Sequence, residues 1–144
     1  MPLSAFISSK EIMASLTLQP VLGHITTFGG HPVSCAAALA ALEVLISGNL
    51  INEVLQKERI FRKHLQHPFI REIRGKGLIL SLQLQSEEMN RKIISECVER
   101  GVLVDWFLFA PDCMRIAPPL IITEEEIIDS CSVIIESINS MSWN

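Results

Sequence analysis

The protein has 144 residues, 49% of them hydrophobic, with a mean hydropathy of +0.36 and a formal net charge of −4. This length predicts a single domain with its own core. The sequence shows no basic patch and no apolar run of the roughly 18 residues that a membrane span needs, so neither nucleic acid nor a membrane is an expected partner.

The N-terminal third of the chain predicts one weak and one strong helix. Within residues 1–20, SSKEIMASL predicts one or two helical turns that end near Pro20. A longer helix is predicted from Pro32, because proline suits the first helical position and Gly48 suits a position just past the end. Its apolar residues go nearly all the way round, so we expect it to be buried on most sides.

A third helical segment and a strand pair follow. The segment NLINEVLQKERIFRKHLQ carries a one-sided apolar stripe, formed by Ile51, Val54, Leu55, Phe61 and Leu65. The period then changes to two, and alternate leucines from Leu78 to Leu84 predict a strand with one buried face. The RGKG at 74–77 predicts a tight turn to an antiparallel neighbour.

The C-terminal part predicts two capped helices around two strands. Ser86 opens a helix that Gly101 closes, and VLVDWFLFA and CMRIAPPL predict strands around an Ala-Pro-Asp turn at 110–112. Thr123 and Glu126 form a capping box, followed by a stripe of Ile127, Cys131, Ile134, Ile135 and Ile138. The predicted fold class is α+β, two-layer, with helices packed on a small, mainly antiparallel sheet in the order α-α-β-β-α-β-β-α.

The segment GHITTFGGHPVSC, residues 23–35, places two hydroxyls and a Gly-Gly pair in front of the helix at Pro32. A helix N-terminus presents unpaired N–H groups and the positive end of the dipole, so it suits an anion. Thr26 and Thr27 could add donors, and the glycines would let a phosphate approach the backbone. The simpler alternative is a turn that only caps the helix. The pattern matches neither GxGxxG nor a Walker A loop.

Arg115 is the second candidate binding residue. It lies between the apolar residues Met114 and Ile116, and a buried guanidinium needs an anionic partner because burying it unpaired is costly. Guanidinium matches carboxylates in a bidentate geometry. An internal salt bridge is the alternative. For Asp105 in the preceding strand, a structural pairing is favoured over a catalytic role.

GHITTFGGHPVSCAAALAALEVL resembles a segment of class III aminotransferases, the pyridoxal-phosphate-dependent enzymes typified by acetylornithine, ornithine and 4-aminobutyrate transaminases. Three further stretches, MPLSAFISSKEIM, IREIRGKGLILSLQL and CMRIAPPLIITEEEI, resemble the family in the same order. The resemblance covers nearly the whole chain and implies the C-terminal domain of a fold-type-I transferase. Residues 1–31 would then lead from the cofactor domain and include its phosphate-contacting loop. Residues 32–144 would be the C-terminal α+β domain with a leading interdomain helix.

The resemblance also implies roles for the candidate residues. Thr27, with Thr26 beside it, matches the threonine that donates to the cofactor phosphate of the neighbouring subunit, across a homodimer interface formed by residues 23–45. Arg115 matches the arginine that binds the substrate carboxylate. Two departures are His31, where the family commonly has Asn, and Ser81, where it commonly has Gly; the first could alter the entry to the helix.

The implied activity is transfer of an amino group from an amino acid or ω-amine to a 2-oxo acid. The Schiff-base lysine of the family matches a position upstream of Met1, so no catalytic lysine is assigned in this chain. None of its lysines (Lys10, Lys57, Lys63, Lys76 and Lys92) is buried by pattern, so we expect the chain by itself to be inactive. The alternative is a non-catalytic dimerisation or binding module.

The cysteines bear on the compartment and on metal binding. The four lie far apart without a CxxC pair, which argues against a zinc site and a disulfide framework; they are Cys35, Cys97, Cys113 and Cys131. We expect them to be small buried apolar residues in a reducing compartment. With no signal-peptide pattern at the N-terminus, the sequence favours a cytoplasmic protein, and no metal site is predicted.

Overall fold

The computed structural model describes residues 1–19, 21, 23 and 25–141, so His24 of the Thr-Thr segment lies outside the described residues. The chain separates into two compact units, Met1–Gly48 and Asn49–Asn144. The division between residues 31 and 32 that the family resemblance implies is a separate question and stays a prediction.

The first unit contains two helices whose ends follow from local chemistry. Helix α1, Lys10–Leu18, begins where the Ser9 side chain accepts a hydrogen bond from the Ile12 N–H, at 3.4 Å. Helix α2, Pro32–Ser47, begins at the predicted proline. It ends at Gly48, whose N–H donates to a carbonyl of the last turn.

Helix α2 has no buried residue. The expectation that it is buried on most sides is therefore wrong for this chain. Its large exposed side chains are Val33, Leu39, Leu42, Val44 and Ile46. A helix that is apolar all round and uncovered indicates an interaction surface rather than a solvated face.

The second unit contains the sheet and three helices, which confirms the two-layer α+β class; with α2 before it, the element order is the predicted one. The strands are β1 Glu72–Lys76, β2 Ile79–Gln83, β3 Asp105–Phe107 and β4 Ala110–Ile116. They form one antiparallel sheet in the order β1-β2-β4-β3. The helices are α3 Leu50–His64, α4 Glu87–Glu99 and α5 Glu124–Asn139. Helix α4 packs on β4, and α5 packs against α3 and α4.

The core lies between the helices and one face of the sheet. The alternate leucines predicted for β2 and its flanks, from Leu78 to Leu84, are all buried, which confirms the period of two. Between them, Ile79 lies on the opposite face and is 63% exposed. The predicted capping box is present as well, since the Thr123 and Glu126 side chains each bond the backbone N–H of the other.

Both predicted turns lie two residues from where the sequence placed them. Arg74–Lys76 continue β1, and the turn falls at Gly77–Leu78. The second turn falls at Leu108–Phe109, while the Ala-Pro-Asp residues 110–112 belong to β4. In both places strand pairing overrides the local turn signal, because each added ladder bond satisfies backbone groups that a turn would leave to solvent.

The prediction of an apolar stripe on α3 is only partly confirmed. Phe61 and Leu65 are buried and Val54 packs against the core, but Ile51 and Leu55 are exposed. Their exposure shows that the core-facing surface of the helix is narrower than the sequence pattern suggested.

Lys57 takes a place in the buried face of α3, so the expectation that no lysine is buried is wrong at this position. The residue is only 8% exposed. Its ammonium donates to the Leu120 carbonyl at 2.8 Å and lies 3.1 Å from the Glu53 carboxylate. A lysine can cover apolar surface with its stem when its charge is paired in this way.

Glu58 and Arg62, one turn apart on α3, fasten the β1–β2 hairpin to the helix. Glu58 accepts a hydrogen bond from the Gly77 N–H at 2.6 Å, and Arg62 donates to the Ile73 and Gly75 carbonyls at 2.6 and 3.0 Å. The two side chains also pair with each other at 2.8 Å. The hairpin is thus positioned by charge-assisted hydrogen bonds as well as by its leucines.

We expect stability to fall at acid pH partly through Glu58. The Arg62 side chain, followed by the Gly77 N–H, lowers the pKa of Glu58 from its ordinary 4.5. A lowered pKa stabilises the fold above about pH 4.5, and this contribution is lost as the pH falls through the lowered value. Urea unfolding between pH 7 and pH 3 should therefore show a smaller pH dependence in Glu58→Gln than in the parent.

The matched control is Glu99→Gln, which changes an exposed glutamate of α4 that has no ion pair within the described residues. It should keep the parent's pH dependence. We also expect Glu58→Gln to cost about 1–2 kcal/mol at pH 7, because two charge-assisted hydrogen bonds weaken. An unchanged pH dependence in Glu58→Gln would contradict this role.

Candidate functional site

The segment in front of α2 forms two overlapping turns. The Gly29 N–H donates to the Thr26 carbonyl at 3.2 Å, and the His31 N–H donates to the Phe28 carbonyl at 3.1 Å. Gly30 has a φ of 75°, in the left-handed region that favours glycine. The way the chain enters the helix therefore favours glycine at position 30.

The hydroxyls of Thr26 and Thr27 are exposed, and neither forms a hydrogen bond with the part of the chain that the structure describes. A Cβ at position 29 would lie 2.6 Å from the Thr26 Oγ1. Gly29 thus leaves free the space beside the Thr26 hydroxyl. As far as the described residues go, both hydroxyls can donate to a ligand.

The first turn of α2 is free of competing acceptors. His31 occupies the N-cap position without a side-chain cap hydrogen bond, and its ring lies edge-on to Phe28. Pro32 has no N–H, and the N–H groups of Val33 and Ser34 have no acceptor among the described residues. The first turn also carries no acidic residue. These amides and the helix dipole complement an anion.

Arg115 lies on β4, on the sheet face opposite the helices. Met114 and Ile116 are buried, whereas the Arg115 side chain is 44% exposed. The expectation of a buried guanidinium is therefore wrong. Nη2 of Arg115 donates to Oδ2 of Asp105 on β3 at 2.5 Å, which is the internal salt bridge that the sequence left open.

The pair between Arg115 and Asp105 is weak enough to exchange. Both side chains are nearly half exposed, and exposed ion pairs contribute about 0–1 kcal/mol. A ligand carboxylate can therefore share or replace Asp105 as the partner. Thr26 and Thr27 belong to the first unit, and Arg115 belongs to the second.

The sequence did not reveal a row of polar side chains beside Arg115. The strand register places Arg74 opposite Ser81 and Ser81 opposite Arg115. Arg74, interpreted from sequence as an exposed residue flanking a turn, donates to the Cys113 Sγ at 3.3 Å. Only the register between β1, β2 and β4 brings these residues together, and the period-two pattern of each strand alone does not specify it.

Three of the four cysteines are buried as expected, and Cys35 on α2 is exposed, which corrects the expectation for that residue. All four are free. Burial raises the pKa of the Cys131 thiol to about 12, so it is protonated at neutral pH and is an inert core residue.

Within residues 1–19, 21, 23 and 25–141, no group of three or more His, Cys, Asp or Glu side chains is placed to hold a metal ion. No single helix in the described part of the chain has the length and apolar character to cross a membrane; α2 and α3, taken together as a broken helix, meet those two criteria only.

Comparison with known proteins identifies a consistent group of relatives. The profile of the family described as aminotransferase class-III matches residues 1–138. An ornithine aminotransferase from Toxoplasma gondii, whose structure shows partial occupancy of PLP at its active site, is 32% identical over 90% of this chain and 31% of its own, with a TM-score of 0.76. An aminotransferase from Bacillus anthracis is 26% identical over 92% of this chain and 34% of its own, with a TM-score of 0.80.

A third similar structure is the acetylornithine aminotransferase from Elizabethkingia anophelis. It is 29% identical over 82% of this chain and 32% of its own, with a TM-score of 0.74. The chain therefore spans about a third of the length of each of these three proteins.

Proposed function

Because the chain belongs to the class-III aminotransferase family, whose members depend on pyridoxal phosphate, we propose that it contributes the cofactor-phosphate and substrate-carboxylate contacts of such an enzyme. The enzyme would move an amino group from an amino acid or ω-amine to a 2-oxo acid. The observation that carries the proposal is the pair of hydroxyls, Thr26 and Thr27, which have no hydrogen bond to the described residues and lie in front of a helix whose first turn has no acidic residue.

The residues of this chain bind and orient. Pyridoxal phosphate, when bound, supplies the electron sink that transamination needs. Thr27, with Thr26 beside it, donates to the phosphate, and the unpaired amides of α2 add further donors. Arg115 binds the substrate carboxylate with its guanidinium, for which Asp105 must share or release that group.

A titration tests the phosphate contact directly. The chain is titrated with inorganic phosphate and with pyridoxal phosphate while the amide resonances of residues 25–35 are followed by NMR. We expect both ligands to shift these resonances, and Thr27→Val to weaken binding about 10-fold, because a hydrogen bond to a charged group is worth about 1.5–3 kcal/mol.

The control for this titration is Thr17→Val, which changes an exposed threonine of α1 whose hydroxyl donates to the Ala14 carbonyl. It should bind both ligands like the parent. Unchanged binding in Thr27→Val and Thr26→Val would contradict the phosphate role.

The proposal includes a homodimer formed through residues 23–45. It is supported by the uncovered apolar surface of α2 and by the homodimeric assembly that is general in the family. Light scattering at tens of micromolar should give a dimer mass, and Leu39→Glu on α2 should shift the chain toward monomer. The control Leu103→Glu changes an exposed leucine of the second unit. A parent that stays strictly monomeric would count against the interface.

The proposal also places the protein in the cytoplasm. Its four free cysteines, three of them buried, suit a reducing compartment. Fluorescence microscopy of the tagged protein in its own cell should show a signal throughout the cytoplasm. A signal confined to another compartment would contradict this location.

A further inference from the structure

One row of side chains crosses all four strands on the sheet face opposite α3, α4 and α5. The register places Arg74 opposite Ser81, Ser81 opposite Arg115, and Arg115 opposite Asp105. The two arginines therefore start two strand spacings apart, about 10 Å, with one hydroxyl between them. Their long side chains can reach the same ligand.

Neither guanidinium is held by a strong partner. Arg74 donates to the Cys113 Sγ, a weak acceptor, at 3.3 Å and lies 3.6 Å from the Glu72 carboxylate, with both charged side chains about half exposed. Arg115 is paired with Asp105 in a similarly exposed setting. Pairs of this kind contribute about 0–1 kcal/mol. The two arginines and their two carboxylate partners have a net charge of zero. A ligand with one negative charge therefore binds beside them at less electrostatic cost than a ligand with two.

The same row borders a shallow surface cavity that is open to solvent. Arg74, Ser81 and Arg115 line a volume of about 530 Å³, within the range of small-molecule sites. The rest of its lining is apolar and comes from the β3–β4 turn: Phe107, Leu108, Phe109 and Ala110. Phe109 is 95% exposed and Leu108 is exposed as well. Such exposed side chains beside paired cations match an organic anion with an apolar body.

We propose that this cavity binds a monocarboxylate with an apolar or aromatic body. The carboxylate binds Arg115, Arg74 and Ser81 supply further donors, and the body packs against Phe107 and Phe109. The inference rests on the proposed function, because Arg115 is the carboxylate contact in both. It adds the substrate class: an amino or oxo acid with an apolar side chain, rather than one with a second carboxylate.

Two acids without an amino group serve as probes, 3-phenylpropanoate and glutarate. Each is titrated into the full chain at constant ionic strength, and the amide resonances of Ser81 and of residues 105–116 are followed by NMR. We expect 3-phenylpropanoate to bind about 10-fold more tightly than glutarate, because burying a phenyl ring contributes at least about 1.4 kcal/mol.

Two apolar substitutions on the same sheet face separate the cavity from the rest of the surface. Phe109→Ser should weaken 3-phenylpropanoate binding about 10-fold and leave glutarate binding unchanged. Ile79→Ser changes an exposed residue of β2 that does not line the cavity, so it should change neither. Because both side chains are exposed, the variants are expected to fold like the parent.

The outcomes distinguish this inference from the proposed function. Arg115→Gln should abolish binding of both acids. If it does, but glutarate binds the parent as tightly as 3-phenylpropanoate or Phe109→Ser has no effect, the substrate class is wrong and the carboxylate role of Arg115 stands. If both acids bind Arg115→Gln like the parent, the carboxylate role itself is wrong. No detectable binding of 3-phenylpropanoate would also overturn the inference.

Discussion

Replacing Gly75 with alanine is expected to destabilise the second unit by about 3 kcal/mol or more. Gly75 has a φ of 116°, which strains any residue with a side chain. An added Cβ would also overlap the carbonyl oxygen of Ile79 on the paired strand and lie 3.0 Å from the Leu80 Cα. Both contacts are with backbone atoms, so a side-chain rotation cannot relieve them.

The matched control is Gly101→Ala. Gly101 has a φ of 89°, yet an added Cβ there would meet nothing within 4 Å, so it isolates the cost of the backbone conformation, about 1–2 kcal/mol. Urea unfolding of the two variants gives the comparison. Equal losses of unfolding free energy would show that the contact with Ile79 contributes nothing.

Replacing Leu82 with alanine is the second large effect, with an expected loss of about 3 kcal/mol, in the range measured for buried leucines. Leu82 is fully buried near the middle of the sheet and is paired with Ile73 on β1 and Met114 on β4. Truncation there leaves a void that the paired strands prevent from closing.

Ile79→Ala tests whether this effect belongs to the face of the strand rather than to the strand itself. Ile79 lies on β2 three residues earlier but on the opposite, exposed face. We expect a change of no more than about 0.5 kcal/mol. A loss in Ile79→Ala comparable with that of Leu82→Ala would contradict the one-sided core.

The elements that the sequence predicted well are those with strong local chemistry at their ends. Pro32 begins α2, Ser86 caps α4 through its bond to the Met89 N–H, and Thr123 opens α5 with a capping box. The two hairpin turns lie about two residues from their predicted positions because strand pairing depends on residues that are distant in the sequence. A local signal such as Ala-Pro-Asp cannot report where the partner strand continues.

Burial on α2 and α3 could not be predicted from composition. An apolar helix and an apolar stripe each predict burial, but they do not show which part of the molecule, or which partner, buries them. In this chain α2 has no buried residue, and Ile51 and Leu55 on α3 are exposed. Lys57 shows the converse. Its burial depends on the Leu120 carbonyl, 63 residues away in sequence, which accepts a hydrogen bond from the ammonium.

The candidate site was predictable only where one segment carries all of its parts. Thr26 and Thr27 lie in one loop directly before the helix, so the local sequence pattern and the family resemblance both identify them. Arg115 was found as a residue, but its exposure and its pairing with Asp105 follow from the register of β3 and β4. Arg74 joins the row only through β2.

The lysines bear most directly on the proposed function. Covalent catalysis in this family needs an amine that condenses with the cofactor aldehyde. Lys57 is committed to Glu53 and the Leu120 carbonyl, and the other lysines are exposed: Lys10, Lys63, Lys76 and Lys92. The chain should therefore contribute phosphate and carboxylate contacts without the reactive amine.

Reductive trapping tests this division of roles. The chain is incubated with pyridoxal phosphate, reduced with borohydride and digested, and the labelled lysines are quantified by mass spectrometry, with amino-donor turnover measured on the same sample. We expect no turnover and sub-stoichiometric label spread over several exposed lysines. A single stoichiometric adduct at one lysine, together with measurable turnover, would contradict the proposal.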